Sequence, residues 1–344
     1  MKAVYFNQHG GLDQLRFGEV HDPSPGPGQA LVRLRWAALN RSDLFTLHGW
    51  PGLQLEMPHI LGGDGAGEVA GWGPGVEGFA EGDPVVINAN LSDGTCERCR
   101  AGLDNQCENW HLLGETRRGT YAELVVVPAD NLLKIPAGFD PRRAAAAGLV
   151  YMTAWHSLVA RGGLQPGETV LVVGASGGVN TACIDVARLI GARVFVVGSG
   201  REKLAVAERL GAEVLVDRSK EENWSKAVYL ANGKRGVDVV VDNIGAPTMA
   251  MSLRAARKGG RILTVGNTAG PTFELDNRFL FYKHLSLLGS SMGTRSDFAR
   301  VMGLLFEGRL NPVLDLNFPL PQAAQALARM QRGEHLGKIT LSVE

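Results

Sequence analysis

Three of the four cysteines, Cys96, Cys99 and Cys107, fall in one short stretch, with Asp93 just before them. Together they make a D-x2-C-x2-C-x7-C spacing. Two-residue gaps let consecutive thiolates converge on one small ion, and the last ligand returns after a loop to close a tetrahedron. Zn²⁺ accepts thiolate and carboxylate together, so Asp93 qualifies as a fourth ligand, though a harder one than cysteine. A disulfide framework fits less well. Three clustered cysteines leave one unpaired, and no signal-peptide pattern stands at the N-terminus. The expectation is one structural Zn²⁺ per chain, in a lobe near residues 92–108. Reduced surface cysteines are the competing reading.

A second chemical signal lies at 170–180. An apolar run, Val170 to Val173, enters Gly174-Ala-Ser176-Gly177-Gly178-Val179-Asn180 and then a helical pattern. Glycines let backbone turn tightly and approach a pyrophosphate, and the following helix N-terminus offers unpaired N–H groups. Asn180 stands where the usual fingerprint has its last glycine, so the match is imperfect. An ordinary glycine-rich turn is the bland alternative; the strand–loop–helix context favours a dinucleotide. The next strand ends in Val197-Gly198-Ser199-Gly-Arg201-Glu-Lys203, with no acid to grip a ribose 2′-hydroxyl. Ser199, Arg201 and Lys203 instead suit a 2′-phosphate, and the cofactor expected is NADPH. The same two cations could also be a solvated first helical turn.

The elements that position these motifs fall into two kinds. Short alternating strands at 30–35, 66–70, 84–87 and 121–127 read as an irregular all-β unit. After Asp140-Pro141 the character changes. An Ala-rich stretch, 142–158, reads as helix in two pieces. Strands at 169–173, 193–197, 214–216, 237–241, 261–265 and 285–288 then alternate with helices, which implies a parallel sheet covered on both faces. The tail reads as helix 297–306, a proline-containing turn, helix 321–332 and a closing strand 338–343.

The 344-residue length suits two domains. Lys plus Arg and Asp plus Glu both number 35, with no basic run or acidic tail, so nucleic acid is not an expected partner. Apolar stretches are too short for a membrane span. A reducing, cytoplasmic setting and a small-molecule substrate are expected.

Taken together, these features resemble the medium-chain dehydrogenase/reductase superfamily, its zinc alcohol dehydrogenases and quinone oxidoreductases. The resemblance rests on Gly62-Gly63-Asp64-Gly65-Ala66-Gly67, Gly119-Thr-Tyr-Ala-Glu123, Thr153-Ala-Trp155, Gly174 to Val179 and Gly337-Lys338. It implies an α/β fold: a GroES-like irregular β catalytic domain (1–147 and 290–344) and an inserted Rossmann doubly wound parallel-sheet domain (148–289). The cysteine lobe matches the family's structural-zinc lobe, with Asp93 in place of the first cysteine. The catalytic-zinc positions differ. Asn40 stands at the cysteine ligand, Gly63 at the histidine and Leu149 at the third, and none of these replaces its ligand. The pattern Asn40-x-x-Asp43 resembles the zinc-independent branch instead.

The resemblance thus implies an NADPH-dependent reductase of quinones or α,β-unsaturated carbonyls, without catalytic zinc. A zinc-dependent alcohol dehydrogenase or carbonyl reductase, with ligands such as His48 or His59 beside Asp64, is the alternative. A weakly catalytic NADPH-binding protein is another. Asn40 and Ser42 are the expected donors to the substrate, though either could bond its own loop. Thr153 matches a position that shapes the nicotinamide pocket, or is a helix-start hydroxyl. Lys338 matches a basic position near the pyrophosphate, or is an exposed strand lysine. Asn243, Gly266 and Asn267 follow strands where ligands gather. Phe45, Trp50 and Leu53 could wall an apolar pocket or serve as surface or core. Cys183 reads as a buried small hydrophobe. Relatives pair through the strand near 285–290, so a homodimer is expected, with a tetramer as the larger possibility.

Overall fold

The strands Thr169–Val173 and Val237–Asp242 are buried at every residue, and both are rich in valine. Strands of that kind belong inside a parallel sheet covered on both faces. They are neighbours in a six-stranded parallel sheet within the compact unit Val150–Gly293. In chain order its strands are Thr169–Val173, Arg193–Gly198, Val214–Asp217, Val237–Asp242, Ala256–Thr264 and Ser286–Gly289. Numbered one to six, they lie in the order 3-2-1-4-5-6, the doubly wound arrangement. The order reverses between the first and fourth strands. From the sheet, Leu171, Phe195, Val240 and Ile262 share a core cluster with Met249 of the helix Met249–Ala255. The computed structural model describes all 344 residues.

The other compact unit combines Met1–Leu149 with Thr294–Glu344. Its main sheet is built around the long strand Gln29–Ala38. Asp64–Trp72 pairs antiparallel on one side, and the closing strand Lys338–Ser342 pairs antiparallel at the strand's far end. The α/β architecture is as the resemblance implies, with a largely antiparallel GroES-like sheet and a parallel Rossmann sheet.

Two local readings are corrected. The Ala-rich helix is continuous: Pro141–Trp155 runs straight into a π-helical segment, His156–Arg161. Ala144 to Ala147 are fully buried, so small side chains serve close packing there and mark no break. The proline-containing turn of the tail holds a strand, Leu314–Pro319, parallel to Lys338–Ser342. That strand lies at the sheet's edge and buries no residue fully, so it lacks a clear apolar alternation; a proline is tolerated at such an edge. No helix is long and apolar enough to cross a membrane.

Candidate active site and cofactor loop

The central strand Gln29–Ala38 ends where its two neighbours begin. Ala38 is registered with Asp64 on one side and with Thr340 on the other. The chain then passes Leu39 to Asn40, which caps the helix Arg41–His48. Three segments far apart in sequence are thereby brought to one point. Lys338 Nζ donates to Asn40 Oδ1 at 2.7 Å, to Asp64 Oδ2 at 2.9 Å and to the Leu39 carbonyl at 2.7 Å. Asn40 Nδ2 donates to Asp64 Oδ2 at 2.9 Å. The other oxygen of Asp64 accepts the Leu149 N–H at 2.8 Å. Asp64 and Lys338 are almost fully buried, and each is paired with the other.

A second buried carboxylate sits one helical turn on. Asp43 Oδ2 accepts the Asn40 N–H at 2.7 Å and the Tyr121 hydroxyl at 2.6 Å. Burial pushes the Asp43 carboxyl up to about 6, although both hydrogen bonds oppose that shift. Burial and the nearby Asp43 charge hold the Tyr121 hydroxyl well above its usual value.

Around this cluster the three positions at which the resemblance puts catalytic-zinc ligands do converge. A Cβ on Gly63 would stand 3.5 Å from Leu149 Cδ1 and 3.3 Å from the Leu113 carbonyl. The space is shared by a methyl group and a missing side chain, and Asn40 is bound to Lys338 and Asp64. His59 is no substitute ligand. It is buried, its ring stands edge-on to Phe6, and its Nε2 faces the Gly114 carbonyl at 3.3 Å. His48 turns back onto the Leu44 carbonyl of its own helix.

Ser42 lies half-buried in the first turn of the Asn40-capped helix, outside the buried cluster. Lys338 is corrected on two counts: it is buried, and its three N–H groups are all taken, which leaves no donor for a pyrophosphate. Phe45 and Trp50 are exposed by about two-fifths of their surface.

The cysteine lobe is closed at its base by paired strands, Asn90–Leu91 and His111–Leu112. The ligand atoms of Asp93, Cys96, Cys99 and Cys107 all lie within 4.8 Å of one another. Tetrahedral arms of about 2.3 Å place ligand atoms roughly 3.8 Å apart, so a small contraction would close the site. Backbone N–H groups already point at sulfur: Asp93 to Cys107 Sγ at 3.4 Å and Cys99 to Cys96 Sγ at 3.5 Å. Asp93 accepts the N–H groups of Thr95 and Cys96 and the Asn109 amide, which hold its carboxyl below the usual range. The Cys99 thiol takes the fourth acceptor site of the carboxylate, and that site would be released when Cys99 binds an ion as a thiolate. The residues fit a zinc ion.

In the other unit, the loop after Thr169–Val173 shows why Asn180 replaces glycine. Its Nδ2 donates to the Val173 carbonyl at 3.0 Å and to Asn243 Oδ1 at 3.3 Å, and Asn243 Nδ2 returns a bond to Asn180 Oδ1. The carboxamide fills the space beneath the loop. A Cβ on Gly174 or Gly177 would come within 2.7 Å of it. The pair bridges the first and fourth strands, where the sheet order reverses and ligands bind in such folds. Gly174, Ser176, Gly177, Gly178 and Val179 form the turn and the first residues of helix Gly178–Ile190. Gly198 has no room for a side chain, since its Cβ would meet Ala175 Cβ at 2.7 Å.

Ser199 is half-buried after the second strand, and Arg201 and Lys203 open the helix Arg201–Arg209. The backbone N–H of Arg218 bonds the Gly198 carbonyl, which brings the chain after the third strand alongside the end of the second. Gly266 and Asn267 are exposed in the loop after the fifth strand, next to Asn243 and Gly245. Thr153 is buried within its helix, not at its start, and its carbonyl accepts the Ser157 hydroxyl. Cys183 is buried, and burial pushes its thiol up to about 12, so it is inert.

Residues 26–137 match the alcohol dehydrogenase GroES-like domain family, and residues 178–307 the zinc-binding dehydrogenase family. The acryloyl-coenzyme A reductase of Metallosphaera sedula is 32% identical to this chain, over 99% of it and 100% of the reductase. The chain belongs to the medium-chain dehydrogenase/reductase superfamily. A second medium-chain relative, a zinc-type alcohol dehydrogenase-like protein of Schizosaccharomyces pombe, is 32% identical over 100% of this chain and 99% of its own. A crystal structure of an NAD-dependent alcohol dehydrogenase superposes with a TM-score of 0.96 at 41% identity, covering 100% of both chains. Like these relatives, this superfamily member is an NAD(P)-dependent oxidoreductase.

Proposed function

We propose that this chain reduces α,β-unsaturated carbonyl compounds or quinones with NADPH, without a metal at the reacting centre, and carries one structural zinc at Asp93, Cys96, Cys99 and Cys107. One observation carries the reading. The three residues at the catalytic-zinc ligand positions are Asn40, Gly63 and Leu149, and Leu149 occupies the space next to Gly63. Ketone reduction and alcohol oxidation lean on a Lewis acid for several kcal/mol of oxyanion stabilisation. A conjugated acceptor spreads the charge to an enolate or phenolate oxygen, which hydrogen-bond donors can hold. The relative named acryloyl-coenzyme A reductase supports the same chemistry.

When bound, the nicotinamide supplies the hydride. The chain's own residues do the rest. The loop from Gly174 to Val179 would hold the pyrophosphate, and Ser199, Arg201 and Lys203 would hold the 2′-phosphate. Asn40 Nδ2 donates to the substrate oxygen, Thr153 shapes the nicotinamide pocket, and the Ser42 hydroxyl or water completes protonation. Asp93, Cys96, Cys99 and Cys107 would hold a zinc ion in the lobe, where it would supply a structural crosslink. The edge strand Ser286–Gly289 ends the parallel sheet and supports a homodimer paired through it.

The test is NADPH oxidation against a panel of enals, enones, quinones and ketones, with NADP⁺ reduction by alcohols alongside. Enals or quinones are expected to turn over fastest. Alcohol oxidation exceeding every conjugated acceptor would overturn the proposal.

A further inference from the structure

A lysine ammonium that is 3% exposed needs a reason to be there, because burying a charge costs several kcal/mol unless every hydrogen is paired. For Lys338 each of the three N–H groups has an acceptor: Leu39 O, Asn40 Oδ1 and Asp64 Oδ2. The consequence falls on Asn40. A carboxamide has two flips that exchange donor and acceptor. An ammonium accepts nothing, so Oδ1 must face Lys338. A carboxylate donates nothing, so Nδ2 must face Asp64. Both neighbours enforce the same flip. One Nδ2 hydrogen goes to Asp64, and the second keeps a fixed direction.

Asp64 is itself pinned. Its Oδ1 holds the Leu149 N–H, and a Cβ on Gly148 would come within 2.7 Å of that oxygen. A charge-assisted bond to the amide oxygen also polarises the amide, which makes its N–H a stronger donor.

We propose that Lys338 and Asp64 are positioning residues that lock the Asn40 carboxamide with one N–H presented to the substrate oxygen, and that the Lys338 charge strengthens that donor. The inference rests on the reductase reading above.

A double-mutant cycle tests it on the full chain, with NADPH and 2-butenal. The variants are Asn40→Ala, Lys338→Met and the two combined. Asn40→Ala is expected to lower kcat about 100-fold, the scale of one lost oxyanion donor. Lys338→Met is expected to lower kcat at least tenfold, with KM and the NADPH dissociation constant within about twofold of wild type. The combined variant is expected to be no slower than Asn40→Ala alone. Multiplied losses, or an unchanged kcat in Lys338→Met, overturn the inference. Because Lys338→Met strands a buried Asp64 charge, the neutral pair Asp64→Asn with Lys338→Met serves as the variant that keeps its fold. It is expected to show the same kcat loss, and full kcat there also overturns the inference. Wild type that reduces no conjugated acceptor defeats the reductase reading and this inference together. Wild-type turnover with multiplied losses defeats the positioning role alone.

Discussion

Residue 63 has no side chain, and a Cβ there would stand in ordinary contact, 3.5 Å, with a methyl of Leu149. The carboxylates behind it are therefore free of any metal-ligating histidine to orient. Asp64 pairs with Lys338, and Asp43 accepts Tyr121. Asp43 has a pH signature. Its folded value near 6 lies above the ordinary 3.8, so between those values the native state binds more protons, and stability falls as pH rises from about 4 to 6. His59, lowered from 6.5 to about 4, does the reverse and gains stability over nearly the same interval. Each contribution is on the order of 3 kcal/mol at about 1.4 kcal/mol per unit. The two are expected to offset one another in the wild type. Urea unfolding of Asp43→Asn between pH 4 and 6.5 should show stability rising more steeply with pH, and His59→Gln should show it falling. Parallel curves for all three proteins would place the titrating groups elsewhere. A second test concerns the 2′-phosphate. Arg201→Ala is expected to cut the NADPH-over-NADH preference in kcat/KM at least tenfold. An unchanged preference removes Arg201 from that site.

Among the elements, the parallel sheet and its glycine-rich loop were legible in sequence, because buried parallel strands are continuous apolar runs and the glycines follow one of them directly. The cysteine lobe was legible for the same local reason, four candidate ligands within fifteen residues. The buried network was not. Asn40 and Lys338 are 298 residues apart, and only the pairing of the closing strand with Gln29–Ala38 brings them together. A lysine at the start of a strand reads as exposed until its partners are known. Asn180 looked like a flaw in a glycine fingerprint because its partner, Asn243, lies 63 residues on. The lobe itself offers a separable test. Its ties to the rest of the unit include Asn90 Nδ2 donating to Asp104 Oδ2 at 3.3 Å and the Arg295 N–H donating to the same carboxylate. Removing zinc with a chelator is expected to lower the thermal midpoint and open residues 92–108 to protease, while protein that stays folded keeps its rate. Loss of all turnover at an unchanged midpoint would contradict a purely structural metal.

For the whole molecule, the proposed function divides the chemistry between the two units: the candidate oxygen-binding groups lie in Met1–Leu149 and Thr294–Glu344, and the candidate cofactor groups in Val150–Gly293. The sheet of the latter ends at Ser286–Gly289, and an unpaired edge of that kind is a template for a second copy. Light scattering is expected to give twice the 36.8 kDa mass of one chain, and a monomer at micromolar concentration would reject pairing through this edge. The central claim, a reacting centre that works without a metal in a chain that keeps a zinc lobe, is tested most directly by elemental analysis of protein purified without added metal. About one zinc per chain is the expected result. About two per chain would mean that a second ion sits at the reacting centre, and would contradict it.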